Sequence, residues 1–480
     1  MACACYKPRM LAELSLALSV GWAAYLVVLS AWIILQKRSS ASTLAWILGL
    51  SLLPVVGFAL YHWFGPMRIK RQAVRRRRNR QRIGQVDEWT EHATLAALAQ
   101  QPIAARAIRL TQRITAQPIS TAQRIDMLSD GGATFDALLR AIAEAQQHVH
   151  LEYYIVEPDQ VGTAIRDALI RAVARGVRVR LLADAVGSAR LNWRFLKPLR
   201  DAGGEVVFFH PFRLATLKPL LNLRTHRKIV VVDGRLGFAG GVNLTDQQDE
   251  RRRPDAFRDL HLRIEGEAVH GLQAVFIEDW MYATRRPLVQ HGLFPTLPPG
   301  ELAAQWLPSG PDNRWEPIHR VLVQAIHDAS ERLWLVTPYF VPTESARIAL
   351  TSAALRGVDV RLLVPRRADT WLVTLASRSF FDELLRAGVR VYEYLPRMLH
   401  TKAMLVDDGL CVLGSANFDE RSFRLNFELC VALHGRAPAA ALATILQADL
   451  AQAREVTRPR GLSFWHRLAE ASARLFAPLL

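Results

Sequence analysis

The sequence predicts an α/β protein: two tandem α-β-α domains forming a pseudo-dimer, preceded by a two-helix transmembrane hairpin. Three observations carry that expectation. A pattern, His-x-Lys-x-x-x-x-Asp, occurs twice; the stretches leading to each copy repeat one alternation of helical and β-rich runs; and the chain opens with two long apolar runs. The expected boundaries are 1–66 for the hairpin, 67–120 for a basic juxtamembrane linker, 121–300 and 301–458 for the two domains, and 459–480 for an amphipathic C-terminal segment.

Taken in order, Leu11 to Leu35 and Ser42 to Phe64 are nearly unbroken apolar runs. Each is long enough as a helix to cross a hydrocarbon core of about 30 Å. The segment LQKRSSAS between them is too short for a domain, so the two runs form a hairpin rather than a cleaved leader. The stretch Arg68 to Arg82, RIKRQAVRRRRNRQR, follows at once and is far more basic than the Lys37-Arg38 turn. That bias places the bulk of the chain on the cytoplasmic side of a multi-pass membrane protein.

A net charge of +17 and a pI near 10.3 call for an anionic partner, nucleic acid or an acidic membrane surface. Because the densest basic run abuts the hairpin, the charge reads as membrane-facing, and no nucleic-acid partner is expected. Cys3, Cys5, Cys411 and Cys430 show neither zinc spacing nor the density of a secreted disulfide framework. Cys411 and Cys430 lie in apolar, strand-like segments and read as core thiols.

Downstream, AIAEAQQHVHLEYYIV, ALIRAVARG and VRVRLLADAVGS are echoed by AIHDASERLWLVTPYF, ALTSAALRG and VDVRLLVPRRAD. Such alternation argues for a largely parallel or mixed sheet between helices in each copy. Each series ends in its motif: His226, Lys228 and Asp233 in THRKIVVVDGRLGFAGGVN, and His400, Lys402 and Asp407 in LHTKAMLVDDGLCVLGSAN. The runs IVVVD and AMLVD are continuously apolar, as strands buried on both faces should be. His and Lys two residues apart on an extended segment project to the same side.

The residue types suit phosphoryl chemistry. A neutral imidazole can attack phosphorus, or carry a proton to or from an alcohol oxygen, and two imidazoles divide those roles. Two of the chain's seven lysines lie inside the motifs, although its other cations are overwhelmingly arginine. A compact ammonium is a point-charge ligand for a phosphoryl oxygen. Asn243 and Asn417, ending the turns GGVN and GSAN, are candidate amide donors to the substrate, and Ser415 a candidate hydroxyl donor. Its counterpart in the first turn is Gly241, an asymmetry between the half-sites. Asp233 and Asp407 are candidates to orient an imidazole and fix its tautomer. His148, His150, His210, His261, His319 and His327 lack the motif context and read as structural or exposed; Tyr153 and Tyr154 read as core.

At these residues the sequence resembles the phospholipase D superfamily, whose signature is the His-Lys-Asp motif with its trailing Gly-rich Asn turn. The tandem motifs behind an apolar hairpin resemble the bacterial cardiolipin synthases within it, and LEYYIVEPDQVG, RDLHLRIEGEAV, TPYFVP and DERSFRLNFE agree. The resemblance implies two phospholipase D-like domains sharing one site at their junction, without metal or other cofactor, and a phosphatidyl-enzyme intermediate. It makes Asp259 and Glu428, after the two Asn turns, partners of the imidazoles. The expected reaction joins two phosphatidylglycerols into cardiolipin and glycerol at a bacterial inner membrane, with anionic phospholipid as donor and acceptor. Hydrolysis by a phospholipase D and phosphatidylserine synthesis use the same intermediate, so the motifs do not separate them.

Finally, GLSFWHRLAEASARLFAPLL sets Trp465, Leu468, Ala471, Leu475 and Leu479 near one helical face, with Arg467, Glu470 and Arg474 elsewhere. This spacing suits a helix lying in a membrane interface, and equally one packed on the protein.

Overall fold

The computed structural model describes residues 6–36, 40–53, 56–58, 61, 102–211, 222–288, 290–457 and 460–476. The basic run Arg68–Arg82, Cys3 and Cys5 lie outside them.

The N-terminal unit contains α1 (Tyr6–Leu35) and α2 (Ser40–Leu52). Ser15–Leu35 of α1 is long and apolar enough to cross a bilayer. The two helices pack where Ile33, Leu50 and Tyr61 bury one another, with Trp46 edge-on to Tyr61 at 5.2 Å. The second apolar run, expected to span as one helix from Ser42 to Phe64, departs from that reading. α2 has 13 residues, about 20 Å at 1.5 Å per residue, and stops two positions before Pro54, where helical backbone is disfavoured. Among the described residues, one helix reaches spanning length.

The larger unit contains two main sheets, of seven and nine strands, built on one seven-strand order. The first comprises β2 (Arg124–Leu128), β3 (His148–Tyr153), β4 (Arg178–Asp184), β5 (Glu205–Phe209), β6 (Ile229–Val232), β7 (Leu236–Gly240) and β8 (His261–Glu265), in the order β2-β8-β7-β6-β3-β4-β5. The second contains β9 (Leu302–Ser309), β10 (Arg332–Val336), β12 (Asp359–Pro365), β13 (Arg390–Tyr394), β14 (Ala403–Val406), β15 (Leu410–Gly414) and β17 (Glu428–His434), in the matching order β9-β17-β15-β14-β10-β12-β13, with one further strand at each edge, 119–122 beside β9 and 453–455 beside β13. In each, three strands run parallel and the motif strand turns antiparallel: β6 against β3 with Leu151 opposite Val230, β14 against β10 with Leu335 opposite Met404.

Strand alternation sorts side chains between layers. Val230 and Val232 face an outer core with α4 (Gly131–Glu144) and α5 (Gln160–Ala174). Ile229 and Val231 face the other way, into a core shared with Ala403, Leu405, Leu413 and Val431 of the second sheet. This inner core also takes in Leu272 of α7 (Ala268–Thr284) and Leu442 of α13 (Arg436–Ala451). The halves are therefore welded through apolar side chains. Cys411 and Cys430 are both buried, one in each core of the second sheet.

One expected boundary shifts. Residues 102–120, read as the end of a linker, include α3 (Pro102–Thr115) and the start of β1 (Ile119–Ala122), and both join the second half. β1 pairs antiparallel with β9, Ile119 opposite Gln305, and Leu110 and Ile114 pack on the second core. Four residues reading ISTA carry no periodicity; the exposed edge of β9 decides their conformation.

A second correction concerns Asp233 and Asp407. Neither orients an imidazole. The Asp233 carboxylate accepts the amides of Gln146, Gln147 and His148 at 2.8 Å each, and that of Asp407 accepts the amides of Ser330, Glu331 and Arg332 at 3.1, 2.8 and 3.0 Å. Each sits at the far end of its motif strand in left-handed backbone, φ 53° and 47°. From there it ties the turn out of β6 or β14 to the start of β3 or β10. Those amides hold the Asp407 carboxyl below its ordinary value against the opposing effect of burial.

Asp407→Ala should lower stability by about 1–2 kcal/mol, the loss of charge-assisted hydrogen bonds to amides at a partly exposed turn. Because the folded carboxyl is depressed, its contribution is full above the unfolded value of 3.8 and is lost as pH falls through the lower folded value. Thermal unfolding of the variant at neutral and acid pH checks this; an unchanged melting temperature at pH 7 would remove the assignment.

Candidate active site

The residues before each motif strand are extended and exchange backbone hydrogen bonds across the seam. The amide of His226 donates to Phe427 O at 2.8 Å, and that of Phe427 to Arg224 O at 2.8 Å. In the other sense the amide of His400 donates to Arg258 O at 2.7 Å, and that of Arg258 to Met398 O at 2.8 Å. Phe427 and Arg258 each precede an acidic residue, so the exchange delivers a carboxylate from each half to the imidazole of the other.

The result is a crossed pair. His226 Nδ1 lies 3.0 Å from both carboxylate oxygens of Glu428, and His400 Nδ1 lies 2.5 Å from Asp259 Oδ2. All four side chains are buried. Burial drives both imidazoles below their ordinary value, His226 to about 4; for each, the facing carboxylate opposes the shift and a neighbouring lysine adds to it. Both rings are therefore neutral at neutral pH. With Nδ1–H given to the carboxylate, the Nε2 lone pair is left for chemistry. Among the described residues, neither Nε2 makes a hydrogen bond.

Asp259 and Glu428 differ by one methylene, and their neighbours compensate. A Cβ on Gly241 would stand 2.0 Å from Asp259 Oδ1, so the shorter acid occupies the space that a side chain at 241 would need. At the equivalent position Ser415 donates to Glu428 Oε2 at 2.5 Å, and Asn426 Nδ2 donates to Oε1 at 3.2 Å. The expectation that Ser415 serves phosphate is therefore corrected: its hydroxyl is committed to Glu428, and its oxygen accepts the Leu429 amide.

Lys228 and Lys402 are buried beside the rings. Lys228 Nζ donates to His226 O at 2.6 Å and lies 5.5 Å from the centre of the Tyr154 ring. Lys402 Nζ donates to His400 O, 2.8 Å from His400 Nδ1 and 3.9 Å from Asp259 Oδ2. Burial lowers the two ammoniums to about 7 and about 8, with the acidic partners opposing. Asn243 Oδ1 accepts the Ile155 amide at 3.3 Å, which leaves its NH2 as a donor. Asn417 instead bonds Asp419 through its side chain, and its Oδ1 is buried without a partner among the described residues.

Some features were not anticipated. Tyr153 fills the outer core, but Tyr154, on the opposite side of the chain, stands edge-on to His226 at 4.9 Å; Phe257 flanks His400 at 5.5 Å. Beneath the first motif only, there is a buried ionic floor. Arg227 binds Asp279 and donates to Glu428 O at 3.1 Å and Ser309 O at 3.2 Å, while Thr225 Oγ1 donates to Glu152 Oε1 at 2.5 Å. Burial and the adjacent Asp279 hold Glu152 well above its ordinary value, with Arg227 and Thr225 opposing. The counterparts of Thr225 and Arg227 in the second motif are Leu399 and Thr401. An acidic residue inside the apolar strand HVHLEY was the signal available in the sequence.

Two sheets of one topology, fused about a seam that holds paired His-Lys motifs, define a protein of the phospholipase D class. The comparisons agree. A family profile described as "Cardiolipin synthase, PLD-like domain" matches residues 138–280 and 322–450, and one described as phospholipase D-nuclease N-terminal matches 24–66. A cardiolipin synthase of Alkalihalophilus pseudofirmus is 38% identical over 477 residues, covering 96% of this chain and 94% of that one. One from a Geobacillus species is 39% identical over 491 residues, covering 99% and 95%. Among solved structures, a phosphatidylserine synthase of Haemophilus influenzae Rd KW20 superposes with a TM-score of 0.59 at 15% identity, over 78% of this chain and 98% of that one, a likeness of fold. This chain belongs to the cardiolipin synthase family.

Gly241→Ala should push Asp259 off His400 and reduce kcat on the order of 10- to 100-fold, the scale seen when a hydrogen-bonded partner of a working imidazole is lost. Asp259→Asn should match it. Wild-type kcat in Gly241→Ala would contradict the packing argument.

Proposed function

We propose that this chain is a membrane-bound phosphatidyltransferase that joins two phosphatidylglycerols into cardiolipin and glycerol through a phosphatidyl-histidine intermediate. The observation that carries the reading is the pair of cross-braced imidazoles, each with its Nδ1 proton held by a buried carboxylate and its Nε2 free. Full-length similarity to cardiolipin synthases supports the lipid substrate.

His226 is assigned as nucleophile. Its Nε2 forms a bond to the donor phosphorus as the P–O bond to the headgroup glycerol breaks, and His400 gives that glycerol oxygen a proton from Nε2. The acceptor's headgroup hydroxyl then returns a proton to His400, and its oxygen displaces His226 from phosphorus. The asymmetry of the acids supports this division. Glu428 is shared among His226, Ser415 and Asn426, whereas Asp259 Oδ2 is given to His400 at 2.5 Å. The acid with fewer competing donors pulls harder on Nδ1–H and makes His400 the better proton carrier.

The anionic phosphodiester brings a negative charge against these buried basic groups. It raises both imidazoles, so His400 can hold a proton in the complex, and it keeps Lys228 and Lys402 charged against its equatorial oxygens. Asn243 donates to the same group. Membrane association through α1 places the substrates within reach. The basic run after the N-terminal unit supports an inner-membrane, multi-pass arrangement with the catalytic halves in the cytoplasm.

Purified full-length protein given phosphatidylglycerol alone should yield cardiolipin and glycerol by mass spectrometry; phosphatidic acid instead would mean that water is the acceptor. His226→Ala should abolish turnover and His400→Ala should reduce it by about 10²- to 10⁴-fold. Robust activity in either would defeat the two-histidine scheme. The alkaline limb of kcat/KM, which reports the free enzyme with its lowered imidazoles and Lys228 at about 7, should lie at lower pH than that of kcat. Superimposed limbs would remove the role given to the substrate's charge.

A further inference from the structure

The C-terminal helix α14 (Phe464–Arg474) is mounted the wrong way round for a helix on a water-soluble surface. At 100° per residue Phe464, Leu468, Ala471 and Leu475 share one face, with Trp465 and Phe476 on one flank of it and Arg467, Glu470 and Arg474 on the other. The docked side is that of Glu470 and Ala473, the two residues of the helix that are buried. Glu470 is buried and accepts from Arg460 NH2 at 2.6 Å; Arg460 in turn binds Asp382 of α11 (Phe381–Ala387). Arg474 stacks on Phe380 at 4.4 Å. The apolar arc faces outward, with Phe464 69%, Trp465 73% and Leu475 79% exposed. A helix settling by its own hydrophobic preference would do the reverse, so the Arg460–Glu470 ion pair fixes the apolar face outward.

We infer that α14, together with Trp371 of α10 (Trp371–Arg378), is a docking surface for an anionic lipid bilayer, and that it presents the mouth of the active site to the headgroups. Several observations select that occupant. Trp and Phe beside arginine form the composition that settles at a headgroup boundary. Arg467 and Arg474 are exposed, whereas the one acidic residue of α14 is buried and paired, so its free charge is positive. α10 packs on α14 and carries Trp371, 73% exposed, on its first turn. Two residues earlier, Asp369 accepts a hydrogen bond from Tyr339 at 2.6 Å, and its charge is felt at Lys402. The exposed patch is therefore linked through Asp369 to the surroundings of Lys402. The chain also carries α1, which keeps it at a bilayer. The inference goes beyond the proposed reaction and does not depend on which lipid is made.

The test places a nitroxide on Leu468→Cys in a full-length background with Cys3→Ser and Cys5→Ser, reconstituted in phosphatidylglycerol–phosphatidylcholine vesicles. Collision with oxygen, concentrated in lipid, should exceed collision with a water-soluble nickel chelate, and detergent-free, lipid-poor conditions should reverse the order. A nitroxide at Leu468 readily reached by the nickel chelate on vesicles overturns the proposal. Shielding from both reagents with dipolar broadening also overturns it, in favour of a second copy. Trp465→Glu with Leu468→Glu should reduce turnover on vesicles about tenfold yet leave turnover of a short-chain, micelle-dispersed substrate unchanged. Equal loss on both would attribute the effect to the site rather than to docking, and overturn the proposal. Inactivity of the parent protein on all lipids would instead defeat the proposed reaction while the nitroxide result stands.

Discussion

The site depends on one constraint: each imidazole takes its carboxylate from the other half of the chain. His226 reaches Glu428 and His400 reaches Asp259, and the backbone exchange around Phe427 and Arg258 sets the register of both. Tautomer, ring direction and the freedom of Nε2 all follow from those two contacts. Neither half holds a complete acid–imidazole pair, so the apolar seam of Ile229, Val231, Leu405 and Val431 is part of the catalytic apparatus as much as of the core.

Around that constraint the site is arranged to attract an anion. Two ammoniums and two imidazoles lie buried against two carboxylates, and burial weakens the proton affinity of every basic group. A phosphodiester restores it. Binding and activation are then one event, since the charge that is attracted is the charge that sets the protonation states. The two half-sites are nevertheless not copies. The first stands on an ionic floor of Arg227, Asp279 and Glu152; the second has Leu399 and Thr401 in place of Thr225 and Arg227.

Much of this was legible in the sequence. The duplicated motif gave the paired His and Lys, the continuous apolar runs gave β6 and β14, and the echoing segments gave two sheets of one topology. What stayed hidden has a common physical character. Spacing shows that Asp233 and Asp407 are fixed relative to their strands, but whether a carboxylate turns toward a ring or toward three backbone amides depends on a loop from elsewhere in the chain. The same holds for Ser415, whose hydroxyl is claimed by an acid 13 residues on, and for Tyr154, which alternation separates from the buried Tyr153. ISTA became a strand because the edge of β9 was open.

That last strand fixes the order in which the molecule can be assembled. α3 and β1 leave the ribosome before any of the first sheet, yet their partner β9 follows it, and the Glu428 that completes His226 comes 202 residues after that histidine. The early helix and strand must wait, unpaired, while an entire sheet folds between them and their destination. Closure of so long a loop is slow, and it makes the two halves a single cooperative unit rather than two beads. A chain interrupted anywhere before residue 428 leaves its first histidine without a carboxylate, so phosphoryl chemistry begins only when synthesis of both halves is finished.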